Sequence, residues 1–282
     1  MILLHVVAAA LYALTAWALW PAPAQAGPAA RHAPARLPVA WGSWLLPAAL
    51  VLNAFLVKQD IATEHGLDVS LLNAMSVVGA LVAVVAWASG LLRTLPAIGT
   101  IILPVSAAAV LLPAVLPSLF PSIFANPHRF SYEDETIAAL HVAVALVSYA
   151  LLLVAAVLAV TVMSLEKRLR RRLPDPSTAA LPPLLTLERF LFRLVAAGFA
   201  LLTLTLASGM LFSEQLFGKP LTFTHKSVFS VLGWLTFGAL LVGRWRYGWR
   251  GRVALRWIIA GTVFVFLAYL GYKFVLEVVL RR

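Results

Sequence analysis

Cysteine is absent from this chain, and charged residues make up only 12 % of its 282 residues. Without a thiol, the protein has no disulfide, no thiolate metal site and no redox dithiol of its own. A water-soluble domain carries about 25 % charged residues, whereas 62 % of this chain is hydrophobic. The scarcity of charge excludes an ordinary soluble domain and predicts that much of the surface faces lipid.

Common catalytic motifs are also missing. The sequence contains no Walker A loop, no dinucleotide-binding glycine pattern, no HExxH and no GxSxG. The acidic residues of the loops come in runs and form no visible acid–base constellation. We therefore expect a protein that is not an enzyme.

Long apolar stretches are what the sequence has in abundance. A hydrocarbon layer of ~30 Å is crossed by about 20 apolar helical residues, and eight stretches are long enough. They cover residues 1–20, 38–57, 69–88, 95–117, 136–163, 187–212, 225–243 and 254–278. All are expected to be helices, because an open strand leaves backbone groups unsatisfied in lipid. The predicted fold is all-α: one polytopic membrane bundle over residues 1–282, with about eight transmembrane helices.

The fourth stretch is rich in proline. Pro96, Pro104, Pro113 and Pro117 fall within or at the edges of it. Proline removes a backbone donor and clashes with the preceding turn, so we expect this helix to be kinked or broken.

The loops alternate in charge. One set (21–37, 89–94, 164–186, 244–253) holds twelve Lys or Arg and two acids, and the alternate set (58–68, 118–135, 213–224) holds three basic residues and seven acids. Positive loops stay in the cytoplasm, so both termini are predicted to lie outside. The net charge of +11 is then explained by the basic loops on the cytoplasmic side. The expected partner is the lipid bilayer, and no nucleic acid is expected.

The opening segment resembles a signal peptide, because it ends in Ala-Pro-Ala-Gln-Ala at residues 22–26. No Lys or Arg precedes the apolar run, and cleavage would export the basic run at residues 167–172. We therefore expect residues 1–20 to remain as the first helix.

Histidine is the remaining candidate for chemistry. With this topology, five of six histidines lie outside or near the outer end of a helix: His5, His65, His128, His141 and His225. Imidazoles at the rim of two helices suit axial ligation of haem iron. We predict His141 and His225 as ligands of a haem b iron, His5 as a further cofactor-binding residue, and Lys226 as the partner of a propionate. The plainer alternative is that these are interfacial side chains.

Three segments resemble a known family. They are Leu-His-Val-Ala-Val-Ala-Leu-Val-Ser-Tyr-Ala at 140–150, Gly-Trp-Arg-Gly at 248–251, and Tyr-Leu-Gly at 269–271. Over residues 130–275 the chain resembles the cytochrome c assembly protein family (CcsA/CcmC/HemX-like), and in particular its YpjD-type branch. The resemblance implies a multi-pass protein of the bacterial cytoplasmic (inner) membrane. It also implies His141 as a haem ligand, and apocytochrome c or other cytochrome c maturation components as partners.

The chain departs from the family pattern in its haem-handling segment. Phe217-Gly218 replaces a Trp-Gly pair, and residues 223–227 replace Trp-Asp-Pro-Lys-Glu. A family histidine before the next inner arginine is Gly243 here. His225 is therefore predicted from its chemistry and not carried over, with Phe217 and Phe223 as possible walls of the site.

These observations predict an assembly protein that binds or presents haem on the outer side of the cytoplasmic membrane. Two alternatives stay open. One is a permease or accessory subunit of a transport system, for which a broken fourth helix would be an argument. The other is a scaffold of a membrane complex that binds no haem.

Overall fold

The computed structural model describes residues 2–19, 39–63, 66–67, 70–91, 99–120, 136–170, 184–211 and 225–271. Within these ranges the chain forms eight helices. They are α1 (Ile2–Leu19), α2 (Val39–Ile61), α3 (Leu71–Leu91), α4 (Gly99–Leu119), α5 (Thr136–Arg170), α6 (Leu184–Leu211), α7 (His225–Tyr247) and α8 (Gly251–Phe266). A π-helical turn, Leu267–Gly271, continues α8. The first seven, and α8 together with its π-helical turn as far as Tyr269, are long and apolar enough to cross a membrane, which confirms the predicted all-α bundle.

A short hairpin follows α2. Strands β1 (Ala62–Thr63) and β2 (Gly66–Leu67) pair antiparallel, with Ala62 opposite Leu67. The side-chain amide of Asn73, in the first turn of α3, donates to the carbonyl oxygen of Asp60 at 3.0 Å. The hairpin and this bond hold the end of α2 against the start of α3.

Several helices extend beyond the apolar stretches that predicted them. The α5 helix ends at Arg170, although its apolar stretch was predicted to end at 163. The α2 helix ends at Ile61 and includes Lys58 and Asp60. The reason is that apolar length measures what lies in hydrocarbon, whereas a helix continues into the polar interface wherever its backbone bonds are satisfied.

The fourth helix is not broken. It runs from Gly99 to Leu119 with Pro104, Pro113 and Pro117 inside it, so of the two predicted outcomes, a kink or a break, the break does not occur. Close packing against α1 and α3 accounts for this. A Cβ added at Gly79 of α3 would lie only 2.5 Å from that of Ala109, so the two backbones are nearly in contact. Neighbouring helices allow α4 to stay continuous.

The helices pack in two groups of four. In the first group α1 contacts α2 and α4, and α3 contacts α4; in the second, α5 contacts α6 and α8, and α7 contacts α8. Packing of α3 against α5 joins the groups. Lipid supplies no hydrophobic driving force between helices, so close contacts and interhelical hydrogen bonds hold them. One such bond runs from Ser148 Oγ to the Gly198 carbonyl at 2.9 Å, where α5 and α6 meet.

The two ends of the bundle differ in chemistry. We call the end that carries His5, His141 and His225 the histidine end, and the end that carries Arg244 and Arg252 the arginine end. At each end, side chains of neighbouring antiparallel helices form a pair: His5 with Asp60 at the histidine end, and Arg244 with Glu188 at the arginine end. The arginine end is predicted to be cytoplasmic, since basic residues stay on that side.

This orientation has a direct test, because a cysteine-free chain allows single labelled positions. Gln59→Cys at the histidine end and Arg250→Cys at the arginine end are both exposed positions. In intact spheroplasts a membrane-impermeant maleimide is expected to label Gln59→Cys and to reach Arg250→Cys only after lysis. The reverse labelling pattern would invert the predicted topology.

Candidate functional site

The candidate site lies at the histidine end, where α5, α6 and α7 meet. His141 is half-buried in the second turn of α5. Its Nδ1 lies 2.7 Å from the hydroxyl oxygen of Ser208 on α6. The same hydroxyl lies 3.1 Å from the carbonyl oxygen of Thr205 and can donate to it; in that arrangement Nδ1–H is the donor in the bond with His141. The ring is then the tautomer whose lone pair is on Nε2, the nitrogen that can coordinate a metal.

The backbone of α6 approaches the same imidazole closely. A Cβ added at Gly209 would lie 3.4 Å from His141 Cε1. Glycine therefore lets the ring pack against α6, next to the Ser208 hydroxyl that orients it. The position of the imidazole is fixed by two consecutive residues of one helix.

Lys226 brings a cation to this ring. It is the second residue of α7, its side chain is half-buried, and it is near enough for its charge to influence the imidazole. The start of a helix also carries partial positive charge from its unpaired N–H groups. The corner between α5 and α7 is therefore suited to an anionic group placed beside the imidazole.

His225, the first residue of α7, has an exposed side chain. Consecutive residues of a helix point about 100° apart, so His225 and Lys226 face different directions. The structure places Lys226 and the exposed His225 side by side at the start of α7, at the same end of the bundle as His141. Ligation of one iron by both His141 and His225 stays a prediction.

His5 lies in the first group of helices. It is 2 % exposed on α1, and its Nε2 is 3.0 Å from a carboxylate oxygen of Asp60 on α2. This contact joins α1 to α2, whereas His141 lies on α5. The predicted part of His5 in cofactor binding stays a prediction.

A second polar contact between α1 and α2 lies two turns deeper. The Asn53 amide donates to the Tyr12 hydroxyl at 3.1 Å, and both side chains are fully buried. Tyr12 is seven residues from His5, and Asn53 is seven from Asp60, so each pair shares a helix face. The sequence offered no signal for either contact beyond this spacing.

Other predicted residues, namely His65, His128, Phe217 and Phe223, lie outside the described residues. Within the described part of the chain, no three His, Asp or Glu side chains gather into a metal cluster. A haem iron does not need one, because the porphyrin supplies four of its ligands and the protein only axial ones.

The arginine end contains an ion pair that sequence reasoning missed. Arg244 Nη1 donates to Glu188 Oε1 at 2.7 Å, and the guanidinium lies 4.1 Å from the ring centroid of Phe192. It also donates to the Trp249 carbonyl oxygen at 3.3 Å. The two side chains of the ion pair are 24 % and 17 % exposed, so α6 and α7 are joined by a largely buried ion pair.

Trp249 explains the glycine at position 243. Its indole ring lies directly against Gly243, and any Cβ there would collide with the ring. Gly248, with φ 67°, and Gly251, with φ 58°, turn the chain between α7 and α8 through left-handed conformations. This turn places the Trp249 indole against α7. The space in which the family pattern has a histidine is therefore filled by Trp249.

Eight spanning helices, with polar side chains gathered at the two ends of the bundle, define a multi-pass integral membrane protein. Sequence comparison gives its family. The model described as Cytochrome C assembly protein matches residues 64–280, which is most of the chain. The chain belongs to the cytochrome c assembly protein family. The match starts before α3 and so includes two helices of the first group.

Individual relatives agree with this family. The chain is 30 % identical over 236 residues to the inner membrane protein YpjD of Escherichia coli K12, covering 82 % of this chain and 84 % of that protein. It is 38 % identical over 141 residues to an uncharacterized 28.8 kDa protein of Azospirillum brasilense, covering 50 % and 52 %. It is 27 % identical over 167 residues to the cytochrome c biogenesis protein CcsA of Thermosynechococcus vestitus, covering 47 % and 52 %. No solved structure matches the chain.

These comparisons settle the class of protein and its membrane. The predicted family and its YpjD-type branch are confirmed, and the chain is a multi-pass inner-membrane protein. The family description names an assembly protein.

Proposed function

We propose that this protein binds haem b at the histidine end, between α5, α6 and α7, and presents it on the outer side of the membrane for cytochrome c assembly. The observation that carries the proposal is the His141 imidazole. Ser208 holds its Nδ1 at 2.7 Å, and Lys226 at the start of α7 is a cation of the same end of the bundle. A histidine oriented through one nitrogen is prepared to coordinate metal through the other.

The residues present fit a haem group. Haem supplies an iron that accepts axial nitrogen ligands and two propionates that need cations. His141 would supply one axial nitrogen, Nε2, and Lys226 would pair with a propionate. His225, exposed at the start of α7, is the second histidine that would hold the group.

The composition of the chain favours a protein that holds haem. With no cysteine in the chain, any reductant for acceptor thiols must come from another protein. Two imidazoles on one iron would protect a reactive, membrane-soluble group until it is handed on. Apocytochrome c and other maturation components are therefore the partners we propose. The relatives named cytochrome c biogenesis protein CcsA support this direction.

Haem titration of the protein in lipid nanodiscs tests the proposal. We expect a saturable, equimolar shift of the Soret band, and weaker binding for Lys226→Gln. The matched control is Lys58→Gln, which removes an exposed lysine on α2. A shift that does not saturate, or one that is identical for empty nanodiscs, would overturn the proposal.

The alternatives give different outcomes in the same experiment. The permease alternative loses one of its arguments, because α4 runs unbroken through its prolines. A scaffold without haem would leave the titration blank and co-purify with a protein partner.

A further inference from the structure

A lipid-facing groove runs between α5 and α8. Two adjoining cavities of about 320 and 350 Å³ share Thr262 and Val263 and so form one continuous depression. The first cavity is lined by Ala156, Val157, Val160, Thr161, Ile259, Thr262 and Val263. Both threonine hydroxyls donate to carbonyl oxygens, that of Thr161 to Val157 at 2.9 Å and that of Thr262 to Leu152 at 3.4 Å. The groove therefore presents carbon, and it suits a hydrocarbon chain.

The walls of the groove continue into cations at the arginine end. On α8, Arg252, Arg256 and Val263 are spaced by four and seven residues, which places them on one helix face. On α5, Val160 and Lys167 are seven residues apart and share a face in the same way. All five side chains are exposed, including 52 % of Val160 and 49 % of Val263. Each apolar wall thus ends in a basic side chain.

These cations exceed the acid beside them. Glu166 Oε1 lies 3.7 Å from Arg252 Nε, and it is the acidic partner that the structure gives this arginine. Three positive charges against one negative charge leave the mouth of the groove cationic. This mouth attracts an anion, while the groove behind it excludes polar groups.

The spacing matches one leaflet of a bilayer. From Arg252 to Val263 is eleven residues, or about 16 Å along a helix. Half of a ~30 Å hydrocarbon core is about 15 Å, the depth that the chains of one leaflet reach. An anionic headgroup at the cations and an acyl chain in the first cavity would lie at the depths that they have in a membrane.

We propose that this groove binds an anionic phospholipid, with one acyl chain along α5 and α8 and its phosphate between Lys167, Arg252 and Arg256. A zwitterionic lipid could fill the same apolar groove. The selectivity of the site therefore comes from the charge of the headgroup. Cations near a membrane surface favour anionic lipids, and the net charge of the mouth predicts about a tenfold preference.

Native mass spectrometry of the detergent-solubilised protein tests this proposal. The probes are phosphatidylglycerol and phosphatidylcholine with identical acyl chains, mixed in equal amounts. We expect phosphatidylglycerol to be retained about tenfold over phosphatidylcholine. The double variant Arg252→Gln/Arg256→Gln is expected to remove the preference. Val160→Trp, which fills the groove from an exposed position, is expected to reduce retention of both lipids.

The control variant is Arg189→Gln/Arg193→Gln, two exposed arginines on α6. It is expected to retain the wild-type preference. Equal retention of the two lipids by wild type, or an equal loss in the control variant, would overturn the proposal. Soluble glycerol phosphate serves as a competitor; if it displaces the lipid at low millimolar concentration, the groove contributes nothing and the proposal fails.

Discussion

Replacing His141 by alanine is expected to reduce the haem content of the purified protein to the level of a haem-free membrane protein. Ser208 anchors one nitrogen of the His141 imidazole at 2.7 Å, and the other nitrogen would bind the iron. Without an axial ligand a porphyrin has only apolar contact with the helices. The pyridine haemochrome assay, normalised to protein, measures the loss.

Substitutions at other residues of the predicted site are expected to change haem binding by different amounts. Ser208→Ala removes the group that orients the ring, and loss of such a second-sphere partner typically weakens metal binding about 10–100-fold. His225→Ala is expected to leave haem bound through one imidazole, with an altered spectrum. His5→Ala tests the third predicted histidine, which Asp60 holds on another pair of helices. Unchanged haem content in His141→Ala would contradict the proposed site.

Replacing Arg244 by alanine is expected to cost about 2–3 kcal/mol of stability. The Glu188 carboxylate, which is only 17 % exposed in the structure, loses its guanidinium partner at 2.7 Å. It also removes the contact with Phe192 and the bond to the Trp249 carbonyl. Reversible unfolding in mixed detergent micelles measures the loss as a free energy.

Arg252→Ala is the matched control for this prediction. Its side chain is 52 % exposed, and the distance to Glu166 is 3.7 Å, so the pair contributes about 0–1 kcal/mol. Arg244→Lys is expected to recover only part of the loss, because an ammonium cannot stack on Phe192 and bind Glu188 as a planar guanidinium does. Equal losses for Arg244→Ala and Arg252→Ala would show that the buried pair does not stabilise the α6–α7 contact.

The membrane fold could be predicted from the sequence because hydrocarbon thickness sets a length that apolar residues reveal directly. The extension of α5 to Arg170 could not, since the polar interface tolerates any helix whose backbone is satisfied. The continuity of α4 through its prolines depends on the helices beside it, and pairwise packing is not visible in a single sequence.

The candidate site was predictable in part. Depth along a helix and loop charge placed His141 and Lys226 near one membrane surface. Ser208 was missed, because its bond to His141 joins residues 67 positions apart. The direction of His225 depends on where α7 starts relative to its neighbours. Asp60 looked only like a loop acid until the structure paired it with His5.

The change at position 243 has a physical reason that the sequence did not reveal. Glycine there looked like the loss of a family histidine. In the structure the ring of Trp249 lies against Gly243, and the two left-handed glycines of the turn bring it there. The position thus has a packing role.

The central claim is that this protein carries haem at its histidine end. A reduced-minus-oxidised absorbance spectrum of the wild-type protein, purified from haem-replete cells, tests it most directly. The account predicts a Soret band with the sharp α and β bands of a low-spin haem b, which disappear in His141→Ala. A featureless wild-type spectrum, or the same bands in wild type and His141→Ala, would contradict it.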